Sequence, residues 1–160
     1  MRYGTPGNYS VDHFRPKSRP EFRKLICRYS NLFYACRECN LYKSSTWPSK
    51  HIQSLGFRFL DPCRVDLSDH WTVSEDGTLK PKNFAAEYMI ERLRLNRPNL
   101  RDWRLDKKEL ANRIGSLVDR ISSAKSRDED LANALQPLLE RLTRQIEGEY
   151  GDYWGAAVQG

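Results

Sequence analysis

At 160 residues, with 39% hydrophobic and 30% charged side chains, the chain has room for one domain with an appendage and the balance of an ordinary globular protein. No apolar run approaches the length that spans a bilayer, and the start, Met1-Arg2-Tyr3-Gly4, has no signal-peptide core, so no membrane association and a cytoplasmic location are expected. The net charge of +6 is unevenly placed: about +7 falls on residues 1–50, about zero on 51–100 and about −1 on the remainder. A basic end of this kind attracts a polyanion such as DNA or RNA, because Lys and Arg release counterions from phosphates. A merely solubilising surface is the plainer alternative.

Residues 9 to 14 suit a short strand, broken off by Pro16 and Pro20, and residues 15 to 28 form a basic, irregular connection. Leu32-Phe33-Tyr34-Ala35 fits a second, buried strand, and a helix is expected from Arg37 to Ser45. Strand, long loop, strand and helix make a ββα unit, assigned to residues 1–52. Residues 53–103 form an extension in which Phe57-Arg58-Phe59-Leu60 is extended. Trp71-Thr72-Val73 and Thr78-Leu79-Lys80 flank Asp76-Gly77 as a hairpin, and residues 84 to 95 are apolar at helical spacing. Over residues 104–160, Leu110, Ile114, Leu117, Val118 and Ile121 mark one amphipathic stretch, and Leu131, Leu135, Leu138, Leu139, Leu142 and Ile146 a second. Ser126-Arg127-Asp128-Glu129 between them has capping-box spacing, so a C-terminal helical hairpin is expected, its leucines packed in a core. The fold class is α+β.

The chemistry gathers in the first unit. Hydrolysing a phosphodiester needs an activated water and neutralisation of a negative transition state. His13 is the candidate base, since a neutral imidazole can accept a proton from water. Asp12 and Asn40 offer hard oxygen ligands for a divalent ion, Mg²⁺ or Mn²⁺. Neighbours on a regular strand point to opposite faces, so Asp12 and His13 serve one site only where the strand twists or ends. Asn31 is placed to hold the loop behind His13. Asn40 and Lys43 share a helix face, and Lys43 is expected to hold a phosphate oxygen. Each residue alone has a bland reading, as a surface or turn group.

Asp12-His13, the Tyr-x-Asn-Leu around Asn31 and the Cys-x-x-Cys-Asn-x-x-Lys at 36 to 43 resemble the HNH (ββα-metal) endonuclease family. Trp47-Pro48, Phe59-Leu60-Asp61-Pro62-Cys63, the hairpin with Asp76-Gly77 and Leu93-Arg94-Leu95-Asn96-Arg97 are similar to a bacterial defence subgroup, such as the HNH component of Septu systems. The resemblance covers residues 9 to 105. It implies a nuclease with His13 as base, Asp12 and Asn40 on the catalytic ion, Asn31 as loop organiser and Lys43 as phosphate contact. Asn40 stands where many relatives have His, as in the His-Asn-Asn sites of CRISPR effector HNH domains, which favours Mg²⁺ or Mn²⁺ over a softer metal. It also implies work in anti-phage defence beside a larger partner such as an ATPase; the C-terminal helices, more than so small a ββα unit needs for its own stability, are the expected docking surface.

Cys36 and Cys39 have the spacing of half a structural Zn²⁺ site. Relatives with this pair carry another upstream of Asp-His, which is lacking here. Either the N-terminus is shortened, or Cys27, Cys63 or His70 completes the site, or no zinc is bound and the cysteines are free. Arg15, Lys17, Arg19, Arg23, Lys24 and Arg28 in the inter-strand loop are candidate nucleic-acid contacts, DNA before RNA, to the backbone with little base readout. A non-catalytic nucleic-acid-binding or scaffold module with the same ββα shape is the competing expectation.

Overall fold

A computed structural model describes residues 9–125, 130–131, 133–141 and 144. The chain divides into two compact units, Met1–Trp103 and Arg104–Gly160. It is mixed α+β, with two small antiparallel hairpins and several helices. Among the described residues no helix is long and apolar enough to cross a membrane.

The first hairpin pairs β1 (Tyr9–His13) with β2 (Leu32–Cys36), Asp12 opposite Phe33 and His13 opposite Leu32. Pro16, with its fixed φ and missing N–H, follows the end of β1. The connection predicted as irregular contains two short 3₁₀ turns, Pro20–Leu25 and Tyr29–Asn31. α1 (Arg37–Lys43) follows β2 directly and stops at Ser44, whose φ of 47° takes the chain out of the helix. It is shorter than the helix to Ser45 read from the sequence. α2 (Lys50–Ser54), with Ser49 accepting a hydrogen bond from the Ile52 N–H, was not anticipated: its single turn is too short for an apolar period to register.

The extension holds the core. Leu60, Trp71, Leu79, Ala85, Ala86 and Ile90 are buried together, with Val65, Leu67, Met89 and Leu95 packed around them. β3 (Trp71–Val73) and β4 (Leu79–Pro81) sit on either side of the expected turn, where Asp76 accepts from the Thr78 N–H and Gly77 adopts φ +77°. Residues 57–60 contribute buried Phe59 and Leu60 without forming a strand. α3 (Phe84–Arg92) is capped by Asn83, which accepts from the Ala86 N–H at 3.0 Å. It ends before the predicted Leu95, with Arg94 at φ 49°. Asn96 then bonds both the N–H and the carbonyl of Leu79, at 2.8 and 3.0 Å, pinning the following turn to β4. Trp47 links this core to the first hairpin, its ring 5.4 Å from Phe14, 5.5 Å from Phe22 and 6.1 Å from Phe59.

α4 (Pro98–Lys125) starts on a proline, which the first helical turn tolerates because its N–H has no partner there. Within the second unit the described residues beyond α4 are helical. The leucine stripe is less enclosed than expected: Leu110, Leu117, Leu131 and Leu138 are all at least two-fifths exposed. A strongly amphipathic pattern fixes a helix but leaves open what covers its apolar side. The capping box at 126–129, Leu142 and Ile146 lie outside the described residues.

Candidate active site

β1 presents alternate residues to α1, and the contacts follow that alternation. Ser10 Oγ accepts from the Asn40 amide nitrogen at 2.9 Å, and the Val11 carbonyl accepts from the same nitrogen at 3.3 Å. One helical turn on, Lys43 Nζ donates to Asp12 Oδ1 at 2.8 Å and to the His13 carbonyl at 2.7 Å. Asn40 and Lys43 therefore do share a face, and that face lies on β1. Asp12 is 9% exposed and Lys43 4%.

Lys43, expected to contact phosphate, is placed against β1. A buried ammonium with hydrogen bonds to a carboxylate and a carbonyl is a strut between helix and strand, and its charge is spent on Asp12. The sequence could not separate the two roles, because a helix period says which residues share a face without saying what that face meets.

His13 is the last residue of β1, at the point where the strand gives way to the loop. Its Nε2 lies 3.1 Å from the Ile26 carbonyl oxygen. A carbonyl only accepts, so in the neutral ring the proton sits on Nε2 and the lone pair on Nδ1. The loop that supplies this carbonyl is held by Asn31, itself 4% exposed. Asn31 Oδ1 accepts from the Arg15 N–H at 2.8 Å, and Nδ2 donates to the Arg15 and Leu25 carbonyls, each at 3.2 Å. The Phe14 N–H closes the loop on the Asn31 carbonyl at 2.9 Å. One buried amide thus fixes both the chain leaving His13 and the residue preceding its hydrogen-bond partner.

The basic loop residues divide into two sets. Lys17, Arg23, Lys24 and Arg28 are exposed. Arg15 is also exposed, its guanidinium 5.9 Å from the Phe22 ring. Arg19 is half-buried and committed to the protein: it donates to the carbonyls of Trp47 at 2.9 Å and Ser45 at 3.4 Å, tying the loop to the segment after α1.

The cysteine pair meets a residue that composition and spacing did not single out for this site. Arg97 Nη2 lies 3.4 Å from Cys39 Sγ and 3.6 Å from Cys36 Sγ. The same guanidinium donates to Glu38 Oε2 and the Leu93 carbonyl, both at 3.0 Å, and packs 5.7 Å from the Tyr42 ring. It clips α1 to the turn after α3. Burial pushes the Cys39 thiol above its ordinary pKa, against the opposing pull of Arg97. Cys27 and Cys63 are exposed, and His70 Nδ1 accepts from the Asn83 amide at 2.9 Å. Among the described residues no three His, Cys, Asp or Glu side chains gather as a metal cluster, so the completing zinc ligands read from the sequence are not brought to Cys36 and Cys39. Ser10, Ile26 and Arg97 are the residues missed. Two act at least partly through backbone or hydroxyl contacts that have no sequence signature, and Arg97 was visible only within the Leu-Arg-Leu-Asn-Arg run.

Comparison with family models, curated proteins and solved structures finds no match to this chain.

Proposed function

We propose that the chain is a metal-dependent endonuclease of the HNH type, with β1, β2 and α1 as its ββα core, hydrolysing phosphodiester bonds in nucleic acid and DNA first. The observation that carries this reading is the imidazole of His13. Its Nε2 is tied to the Ile26 carbonyl, its Nδ1 is the basic atom, and its loop is locked by the buried amide of Asn31.

In the reaction we infer, His13 Nδ1 takes a proton from water as the water oxygen bonds to phosphorus. The bond from phosphorus to the leaving sugar oxygen breaks, and that oxygen gains a proton from solvent. Asp12 and Asn40 would hold Mg²⁺ or Mn²⁺. Their donor chemistry fits: Lys43 takes one Asp12 oxygen and leaves the other, and Asn40 commits its amide nitrogen to Ser10 and Val11, which leaves its carbonyl oxygen. Such an ion supplies Lewis acidity toward the phosphate and the leaving oxygen. Lys43 holds the Asp12 carboxylate in position, and Asn31 keeps the His13 ring oriented.

A second reading, a non-catalytic nucleic-acid-binding module, is favoured by one observation: the Lys43 ammonium already neutralises Asp12. Nicking of supercoiled plasmid separates the two. The nuclease reading expects Mg²⁺-dependent nicking that a chelator abolishes; no cleavage with any divalent metal, alone or with a copurifying partner, would leave the binding module standing. For the wider setting we propose bacterial anti-phage defence beside a larger partner such as an ATPase, on the Septu resemblance. Copurification with the products of neighbouring genes tests that setting.

A further inference from the structure

A two-stranded ribbon has two faces, and α1 meets only one of them, through Ser10 and Asp12. Strand alternation puts Tyr9 and Val11 on the other face, and the register sets Tyr34 directly across from Val11. This outer face is apolar and wet: Val11 is 59% exposed and Tyr34 74%. Tyr9 and Tyr34 stack with centroids 4.7 Å apart and planes 14° from parallel. Solvated sheet faces ordinarily carry polar side chains, so a stacked aromatic pair beside an exposed valine asks for an occupant.

Charge says which occupant. Within residues 1–50 every acid is paired: Asp12 with Lys43, Glu21 with Arg19 and Glu38 with Arg97. Lys17, Arg23, Lys24 and Arg28 are exposed, and no ion pair holds them among the described residues. An exposed aromatic pair on a strand that runs into a loop of uncommitted cations suits a single-stranded nucleic acid, whose bases stack on any aromatic plane while its phosphates follow the positive charge. A duplex keeps its base faces inside its own stack and cannot use the tyrosines.

We propose that Tyr9, Val11 and Tyr34 form a base-stacking platform that leads a single-stranded nucleic acid to His13. The proposal rests on the nuclease reading in that His13 ends the same strand, roughly 13 Å from Tyr9 by strand rise.

The test is fluorescence anisotropy with the full chain and a short labelled single-stranded DNA of mixed sequence, in chelator so that nothing is cut, with a duplex of the same length beside it. Tyr34 is exposed, so its replacement leaves the fold intact. Tyr34→Ala is expected to weaken single-strand binding about tenfold, with Tyr34→Phe near wild type and duplex affinity unchanged. Equal single-strand affinity in Tyr34→Ala, or an equal loss toward duplex, overturns the platform. So does a Tyr34→Ala chain whose only change is loss of self-association in sedimentation, which would make the face a protein interface. Plasmid nicking keeps the two readings apart. A chain that nicks but binds single strands independently of Tyr34 loses the platform alone; one that binds through Tyr34 and never cleaves loses the nuclease alone.

Discussion

Lys43 Nζ and Asp12 Oδ1 lie 2.8 Å apart with both side chains withdrawn from water, joining the end of α1 to β1. Removing one partner strands a buried charge, a loss of about 3–5 kcal/mol. Lys43→Met is therefore expected to lower the urea midpoint sharply. Asp12→Asn with Lys43→Met should recover part of that loss, since the double variant buries no unpaired charge. If the single variant melts like wild type, the strut assigned to Lys43 is wrong.

Asn31 makes three side-chain hydrogen bonds from a buried position. At about 1 kcal/mol for each bond, Asn31→Ala should cost roughly 3 kcal/mol. It should also cost cleavage beyond what unfolding explains, since the loop that supplies the Ile26 carbonyl loses its anchor. Chemical denaturation together with cleavage at a temperature where the variant remains folded checks both parts. Full activity in a folded Asn31→Ala chain would dissociate the loop from the chemistry.

Two backbone positions carry opposite expectations. Gly77 has φ +77°, and a Cβ there would lie 2.6 Å from the Arg101 carbonyl oxygen, so Gly77→Ala combines strain with a clash against backbone. A loss of about 2 kcal/mol or more is expected in thermal melts. Ser44, at φ 47°, holds a conformation that favours glycine, and Ser44→Gly should be neutral or stabilising by up to about 1 kcal/mol.

Burial raises the Cys39 thiol and Arg97 pulls it back, so Arg97→Ala should raise it further. In alkylation followed by peptide mass mapping, exposed Cys27 and Cys63 react first at neutral pH, and Cys39 follows only as pH climbs. The sign for stability is fixed by the same shift. The folded state holds this proton more tightly than the unfolded chain does, so the contribution is present below the ordinary thiol pKa and is lost as pH rises through the raised one. Cys39 alkylating as fast as Cys27 would contradict its burial.

The regular elements that position the site were legible because each has a local signal. Alternation and Pro16 mark β1, Asp76-Gly77 marks the second hairpin, and the Asn40/Lys43 spacing marks one helix face. What stayed hidden depends on tertiary contact. Nothing in the sequence says that Ile26 offers its carbonyl to His13, that Arg19 turns inward to Trp47, or that Arg97 reaches back to two thiols. The core also sits in the extension, around Trp71 and Ala86, and residues 57–60, read as an extended piece, add buried Phe59 and Leu60 as irregular chain.

The central claim is that His13 is the base that activates water. Nicking rates of supercoiled plasmid with Mg²⁺, for wild type and for His13→Ala matched in fold by circular dichroism, test it most directly. A loss of about 10²–10⁴-fold is expected in the variant, the usual worth of a positioned base. Equal rates in the two proteins would contradict it.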